Sequence, residues 1–230
     1  MKLFELVNPI EYHNILNPKL WDNDRLRSEV RGALLRISED FIKFVDIPFK
    51  VLDIVIAGGN ANYNYTAKSD IDLHIISDIS TAQCEREAEE LFDAKRLLYK
   101  EKYDLKIHAI PVELYIEDIH TPAVSSSYSI LKDRWIKEPN PNAHQKYDEE
   151  ELERMVEVWH TLIQHAIKTG DLSRLRNVKH LLKSYRVKGL QAYGEFGIPN
   201  LVFKSLRNDD TVAELITQIE QLHDKDLSIT

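Results

Sequence analysis

Residues 51–77, VLDIVIAGGNANYNYTAKSDIDLHIIS, constrain this chain more than any other stretch. Two β-branched apolar runs, 51–57 and 71–77, flank two adjacent glycines and a polar loop that carries two tyrosines. The first run reads as a strand ended by Gly58-Gly59, and the second as a strand opened by Asp70 and Asp72. Side chains alternate along a strand, so the two aspartates project from one face, roughly 7 Å apart along the backbone. Like charges so placed repel, and a divalent cation removes that penalty. Hard oxygen donors at this spacing suit Mg²⁺ or Mn²⁺. Gly58 and Gly59 bring unhindered backbone N–H groups to the same sheet edge, where phosphate oxygens can approach them. A third carboxylate is expected on a neighbouring strand. The run VELYIED, 112–118, offers Glu113, because Val112, Leu114 and Ile116 face one way and Glu113 and Tyr115 the other. Glu117 and Asp118 are its rivals.

The flanking sequence predicts an amphipathic helix over 21–45, carried by Leu26, Val30, Leu34, Leu35, Ile37 and Phe41, with Asp22 or Asn23 as its cap. A second helix is expected over 81–103, followed by a strand over 105–110. Pro111 then marks either an edge or bulge position in one strand or the break between two. Residues 121–147 hold three prolines and several serines and read as an irregular linker wrapping the first domain. Beyond 148 the strand signals vanish. An acidic run before a helix that closes on Gly170, a cap at Asp171, and two shorter helices near 198–208 and 210–223 describe a helical bundle. The expected class is therefore α+β: a mixed sheet flanked by helices over 1–120, the linker 121–147, and a helical domain over 148–230.

Composition narrows the function classes. The 230 residues are 43% hydrophobic and 30% charged, ordinary values for a globular chain with a core of its own. A formal net charge of −8 disfavours a partner such as long duplex nucleic acid, which calls for a broad basic footprint. One cysteine, Cys84, excludes a disulfide framework and a cysteine-rich zinc site. No apolar run approaches the ~20 residues of a membrane span, and the first residues lack a signal-peptide pattern. These features predict a soluble, reduced, cytoplasmic protein with no membrane partner.

Gly-Gly, a ten-residue spacer, Asp-Ile-Asp-Leu and a later strand acid resemble the DNA polymerase β-type nucleotidyltransferase superfamily. Together with VSSSYSILKDRWI and GEFGIPNLVFKSLR, they look like a group of bacteriophage and bacterial predicted nucleotidyltransferases, over residues 16 to 208. The resemblance implies that Asp70, Asp72 and Glu113 are catalytic and hold two Mg²⁺ or Mn²⁺ ions, and that Glu113 helps deprotonate an acceptor hydroxyl. Gly58 and Gly59 would receive the phosphates of a nucleoside triphosphate, ATP or another. A nucleoside monophosphate would pass to that hydroxyl, on an RNA end, a protein or a small molecule, with release of pyrophosphate. Many relatives carry serine where this chain has Gly59, so Asn60, Asn62, Ser69 or a lysine is expected to replace its hydroxyl. In related enzymes a C-terminal helical domain supplies basic side chains to the triphosphate, which implies Lys204 and then Lys188 here.

Plainer readings stand beside these. Asp70 and Asp72 can be strand-edge charges facing water, Tyr63 and Tyr65 can build the loop rather than stack on a base, and Lys204 with Arg207 can form a salt-bridged surface. An Asp-x-Asp also marks phosphohydrolases, but there it follows an apolar strand, whereas here residues 64–69 before it are polar. A second alternative is a catalytically silent nucleotide-binding regulatory module of the same fold.

Overall fold

A computed structural model of the chain describes residues 12–79, 85–123, 125–142 and 147–228. The chain start, Cys84 and the first residues of the helix expected over 81–103 lie outside the described residues. Two compact units divide the chain, and their described residues fall within Glu11–Pro141 and Asn142–Thr230.

In the first unit, β1 (Trp21–Asp22) and β2 (Arg25–Leu26) form a short antiparallel hairpin before helix α1 (Ser28–Val45). The helix expected from residue 21 thus begins seven residues later, and neither Asp22 nor Asn23 caps it. Tertiary packing overrides the local pattern here. Trp21 is buried, stacks on Trp135 at 4.8 Å, and donates its indole N–H to the Asn60 carbonyl at 2.7 Å. Val30, Leu34, Phe41 and Val45 form the buried stripe of α1. Helix α2 (Glu85–Lys102) docks beside it through Tyr99, whose hydroxyl donates to Asp40 at 2.6 Å while its ring meets Phe41 and Phe44.

The sheet contains β3 (Val51–Ala57), β4 (Ile71–Ser77), β5 (Lys106–Ile107), β6 (Ile110–Asp118), β7 (Ser127–Ser129) and β8 (Arg134–Lys137), in the spatial order β5-β6-β4-β3-β7-β8. β4 and β6 run parallel, joined through α2, and the other neighbours are antiparallel. β4 alternates strictly: Ile71, Leu73 and Ile75 are fully buried, and Asp72 and His74 lie on the opposite, more open face. β3 is central, with four consecutive buried residues that include Asp53. Its carboxylate is matched by Ser129 Oγ (2.7 Å), Lys132 Nζ (2.7 Å) and the Ile54 N–H (2.9 Å).

Two expectations need correction. Residues 105–110 are not one strand, because His108 and Ala109, both at positive φ, turn the chain between β5 and β6. Pro111 then sits in β6 opposite Lys106 of the edge strand, where a missing N–H is tolerated. Nor is the stretch 121–147 wholly irregular, since β7 and β8 extend the sheet from within it. At three and four residues, among serines, prolines and a positive-φ Asp133, these strands are too short to show an alternation.

The second unit holds α3 (Glu149–Thr169), α4 (Leu172–Tyr193), α5 (Ile198–Asn208) and α6 (Thr211–Leu227). Asp148 and Asp171 cap α3 and α4, each accepting from two backbone N–H groups, and Gly170 ends α3 in the left-handed conformation. Gly189 admits Pro199 against α4, for a Cβ there would lie 2.3 Å from the proline ring. Among the described residues, the chain is a mixed α+β protein with a six-stranded sheet and six α-helices. No helix among them is long and apolar enough to cross a membrane.

Candidate active site

The open face of β4 gathers the acidic side chains. Parallel pairing sets Asp72 directly beside Glu113 of β6, and Asp70 lies one residue before β4 on the same side. One carboxylate oxygen from each of Asp70, Asp72 and Glu113 falls within 4.8 Å of the other two, and all three residues are half-buried. An all-oxygen donor set of three carboxylates fits a hard divalent cation, so Mg²⁺ or Mn²⁺ is the group these residues could hold. The rivals of Glu113 are committed elsewhere. Glu117 lies 2.8 Å from His74 Nδ1, and Asp118 accepts from the Ile79 and His120 N–H groups at 2.7 and 2.8 Å.

Glu113 has two protein partners. Lys100 Nζ of α2 reaches one carboxylate oxygen, and the Tyr115 hydroxyl donates to the other at 2.7 Å. Burial alone would raise the Glu113 pKa, but Lys100, Tyr115 and the nearby Arg96 outweigh it and hold the carboxyl below its ordinary value. Burial, the bond to Glu113 and the Asp72 charge together push the Tyr115 phenol upward, so it stays a donor. Arg96 lies over the Tyr115 ring at 5.0 Å and His74 stacks on it at 4.9 Å, which fixes the ring in place. Lys100 is 59% exposed, so its ammonium meets Glu113 at the solvent edge of the site.

Gly58 makes the close approach to Asp72 possible. Its φ of 74° and ψ of −157° lie in a region open essentially to glycine alone, and a Cβ there would lie 1.9 Å from Asp72 Oδ2. Gly59 opens a 3₁₀ turn through Ala61, and a Cβ on it would lie 3.4 Å from Ser69 Oγ. The turn is anchored from behind. Asn60 is 1% exposed; its amide donates to the Asp70 carbonyl at 2.7 Å and accepts from Asn17 Nδ2 at 2.8 Å. Ser126 Oγ donates to the Ala61 carbonyl at 2.7 Å.

The structure therefore brings Asp70, Asp72, Glu113, Gly58 and Gly59 to one end of the sheet. Asn60 is there too, but its side chain is spent inside the protein, bracing the aspartate loop. Ser69 is buried, with Oγ accepting from the Thr66 N–H at 2.9 Å. Tyr65 stacks on His13 at 3.8 Å, so one face of its ring is covered. Lys188 and Lys204 belong to α4 and α5 of the helical unit, Lys188 exposed and Lys204 half-buried. In that unit Arg186 lies over Phe203 at 4.2 Å and donates to Asn200 Oδ1 at 3.2 Å. Sequence reasoning missed the support shell. Tyr115 was findable, two residues from Glu113 on the same strand face; Lys100 and Ser126 carried no signal, since only packing brings them in.

No protein-family model and no curated protein matches the chain. Among solved structures, a STING-associated CdnE c-di-GMP synthase from Capnocytophaga granulosa is similar at 14% identity and a TM-score of 0.24, over 87% of this chain and 83% of that one. A likeness of that degree supports no statement about fold or activity.

Proposed function

We propose that this protein is a metal-dependent nucleotidyltransferase, moving a nucleoside monophosphate from a nucleoside triphosphate to an acceptor hydroxyl. The observation that carries the reading is the convergence of Asp70, Asp72 and Glu113 within 4.8 Å beside the Gly58 turn. Asp70, Asp72 and Glu113 would hold the divalent ions, which when bound neutralise charge on the entering and leaving oxygens. The acceptor oxygen attacks the α-phosphorus in line. The bond from that phosphorus to the bridging oxygen breaks, pyrophosphate leaves with the electron pair, and the hydroxyl proton passes to solvent. The lowered pKa of Glu113 favours an ionised ligand over a proton acceptor. Gly58 and Gly59 offer backbone N–H groups to the phosphates, and Lys204 and Lys188 are proposed triphosphate contacts.

The test is a labelled-nucleotide transfer assay with each of the four triphosphates against total host RNA, protein lysate and buffer alone. Wild type should label an acceptor and release pyrophosphate, and the Asp70→Ala/Asp72→Ala double variant should not. Equal labelling by both proteins refutes the assignment. One observation favours a second reading, a silent nucleotide-binding module: both oxygens of Glu113 already have protein partners. Calorimetric binding of a triphosphate with Mg²⁺, without pyrophosphate release across the acceptor screen, would support that module instead.

A further inference from the structure

The serine run 125–127 lies against the Gly58 turn: Ser126 Oγ braces the Ala61 carbonyl, whereas the Ser127 hydroxyl has no partner. The sheet register aligns Ser127, Ala57, Asp72 and Glu113 in one row across β7, β3, β4 and β6. Facing residues of neighbouring strands share a sheet face, so Ser127 is on the face that carries the acids, with only the small Ala57 between it and Asp72. Strands lie about 4.8 Å apart, which puts the two backbones about 10 Å from each other. Ser127 is 5% exposed and its Oγ has no hydrogen-bond partner. Asn64, 1% exposed, has neither amide atom paired, and its Oδ1 is 3.8 Å from the Cβ position of Gly59. Two buried polar side chains without partners therefore border one glycine turn, Ser127 paired with Ala57 just before it and Asn64 beside Gly59, where a polar guest would satisfy them. Ser125, half-buried and reachable, accepts the Gly58 N–H at 3.3 Å and donates to the Ser126 carbonyl at 3.3 Å, both long bonds that a stronger acceptor can displace.

We infer that the Ser125–Ser127 run is the terminal-phosphate subsite, with Ser125 Oγ as its hydroxyl donor. The inference rests on the nucleotidyltransferase reading and names a binding residue for it. A polyphosphate oxygen takes the Gly58 N–H from Ser125, and the freed hydroxyl donates to the same phosphate. The chain of phosphates then runs along the row from the acids toward β7, across the strands.

Because base preference does not enter, the probe is inorganic tripolyphosphate with Mg²⁺, titrated calorimetrically into the full chain. Ser125→Ala should weaken binding roughly 10- to 100-fold, the loss of one hydrogen bond to a charged group. Ser125→Thr, which keeps the hydroxyl, should stay within about threefold. The Mn²⁺-induced rise in melting temperature, read without phosphate, should be unchanged in Ser125→Ala; a purely structural role in holding Gly58 against Asp72 would move both readouts together. Wild-type binding that Ser125→Ala leaves within about twofold, or a parallel loss of the Mn²⁺ response, overturns this inference alone. Failure of the wild type to bind tripolyphosphate or any of the four triphosphates overturns the parent reading, and the subsite with it.

Discussion

Replacing Gly58 with alanine probes the point where the chain's backbone and its acids are most tightly coupled. Two costs add. The backbone at φ 74°, ψ −157° is strained for any residue with a Cβ, by about 1–3 kcal/mol. The new methyl would also fall 1.9 Å from Asp72 Oδ2 and 3.0 Å from its Cγ, so the carboxylate must swing aside. Overpacking of that kind costs a further ~1–3 kcal/mol. The sum is about 2–6 kcal/mol, or a fall in melting temperature of roughly 5–20 °C for a chain of this length. Gly170→Ala is the control. It too has positive φ (61°), but nothing lies within 4 Å of its Cβ position, so only the conformational cost of about 1–2 kcal/mol applies. Scanning calorimetry of both variants with and without Mn²⁺ separates the terms. Gly58→Ala should lose most of the stabilisation by Mn²⁺, because Asp72 no longer sits where its partners are, while Gly170→Ala should retain it. A Gly58→Ala protein that melts within about 2 °C of wild type and responds fully to Mn²⁺ would show that Asp72 and the turn are not coupled.

Asn60→Ala removes two side-chain bonds from a fully buried brace, leaving the Asp70 carbonyl and Asn17 amide without those partners; a loss of about 2–4 kcal/mol is expected by urea unfolding. Lys100→Met frees one Glu113 oxygen, and since a pair exposed at its lysine is worth up to about 1 kcal/mol, the Mn²⁺ concentration for half-maximal stabilisation should fall about two- to fivefold; an unchanged or higher value would contradict the placement of the ion. Glu113 has its folded pKa below the unfolded one, so its contribution to stability is present above the ordinary carboxylate range and lost as pH falls through the folded value. Metal-free wild type should therefore lose more stability than Glu113→Gln between about pH 5 and pH 3, measured by chemical denaturation. The proposal that Lys204 and Lys188 contact triphosphate predicts a higher KM with little change in kcat for Lys204→Ala and Lys188→Ala, and an unchanged KM in both would refute it.

Much of the architecture near the acids was legible locally. The strands 51–57 and 71–77 are long, β-branched and punctuated by glycine and aspartate, so periodicity alone places Asp70 and Asp72 on one face. The alternation of VELYIED puts Glu113 on the face opposite Val112, Leu114 and Ile116 without separating it from Glu117, and the caps at Asp148, Gly170 and Asp171 follow from residue chemistry. The start of α1, the turn at His108–Ala109 and strands β7 and β8 were not legible. For α1 and β7 the deciding contact is remote: Trp21 is held by Asn60 and Trp135, and β7 is held by β3, some seventy residues earlier.

The amino-acid order by itself determined which side chains are able to share a face, because alternation along a strand is a property of the backbone and needs no partner. Only the tertiary structure decided which faces meet. Parallel pairing through α2 set Asp72 beside Glu113 rather than Glu117 or Asp118 and brought Lys100 to it, while antiparallel pairing with β7 set a serine run against the glycine turn. Register between distant strands is chosen by the burial of the whole opposite face, Ile71, Leu73, Ile75 and Leu114 among it, and no short window of sequence contains that sum.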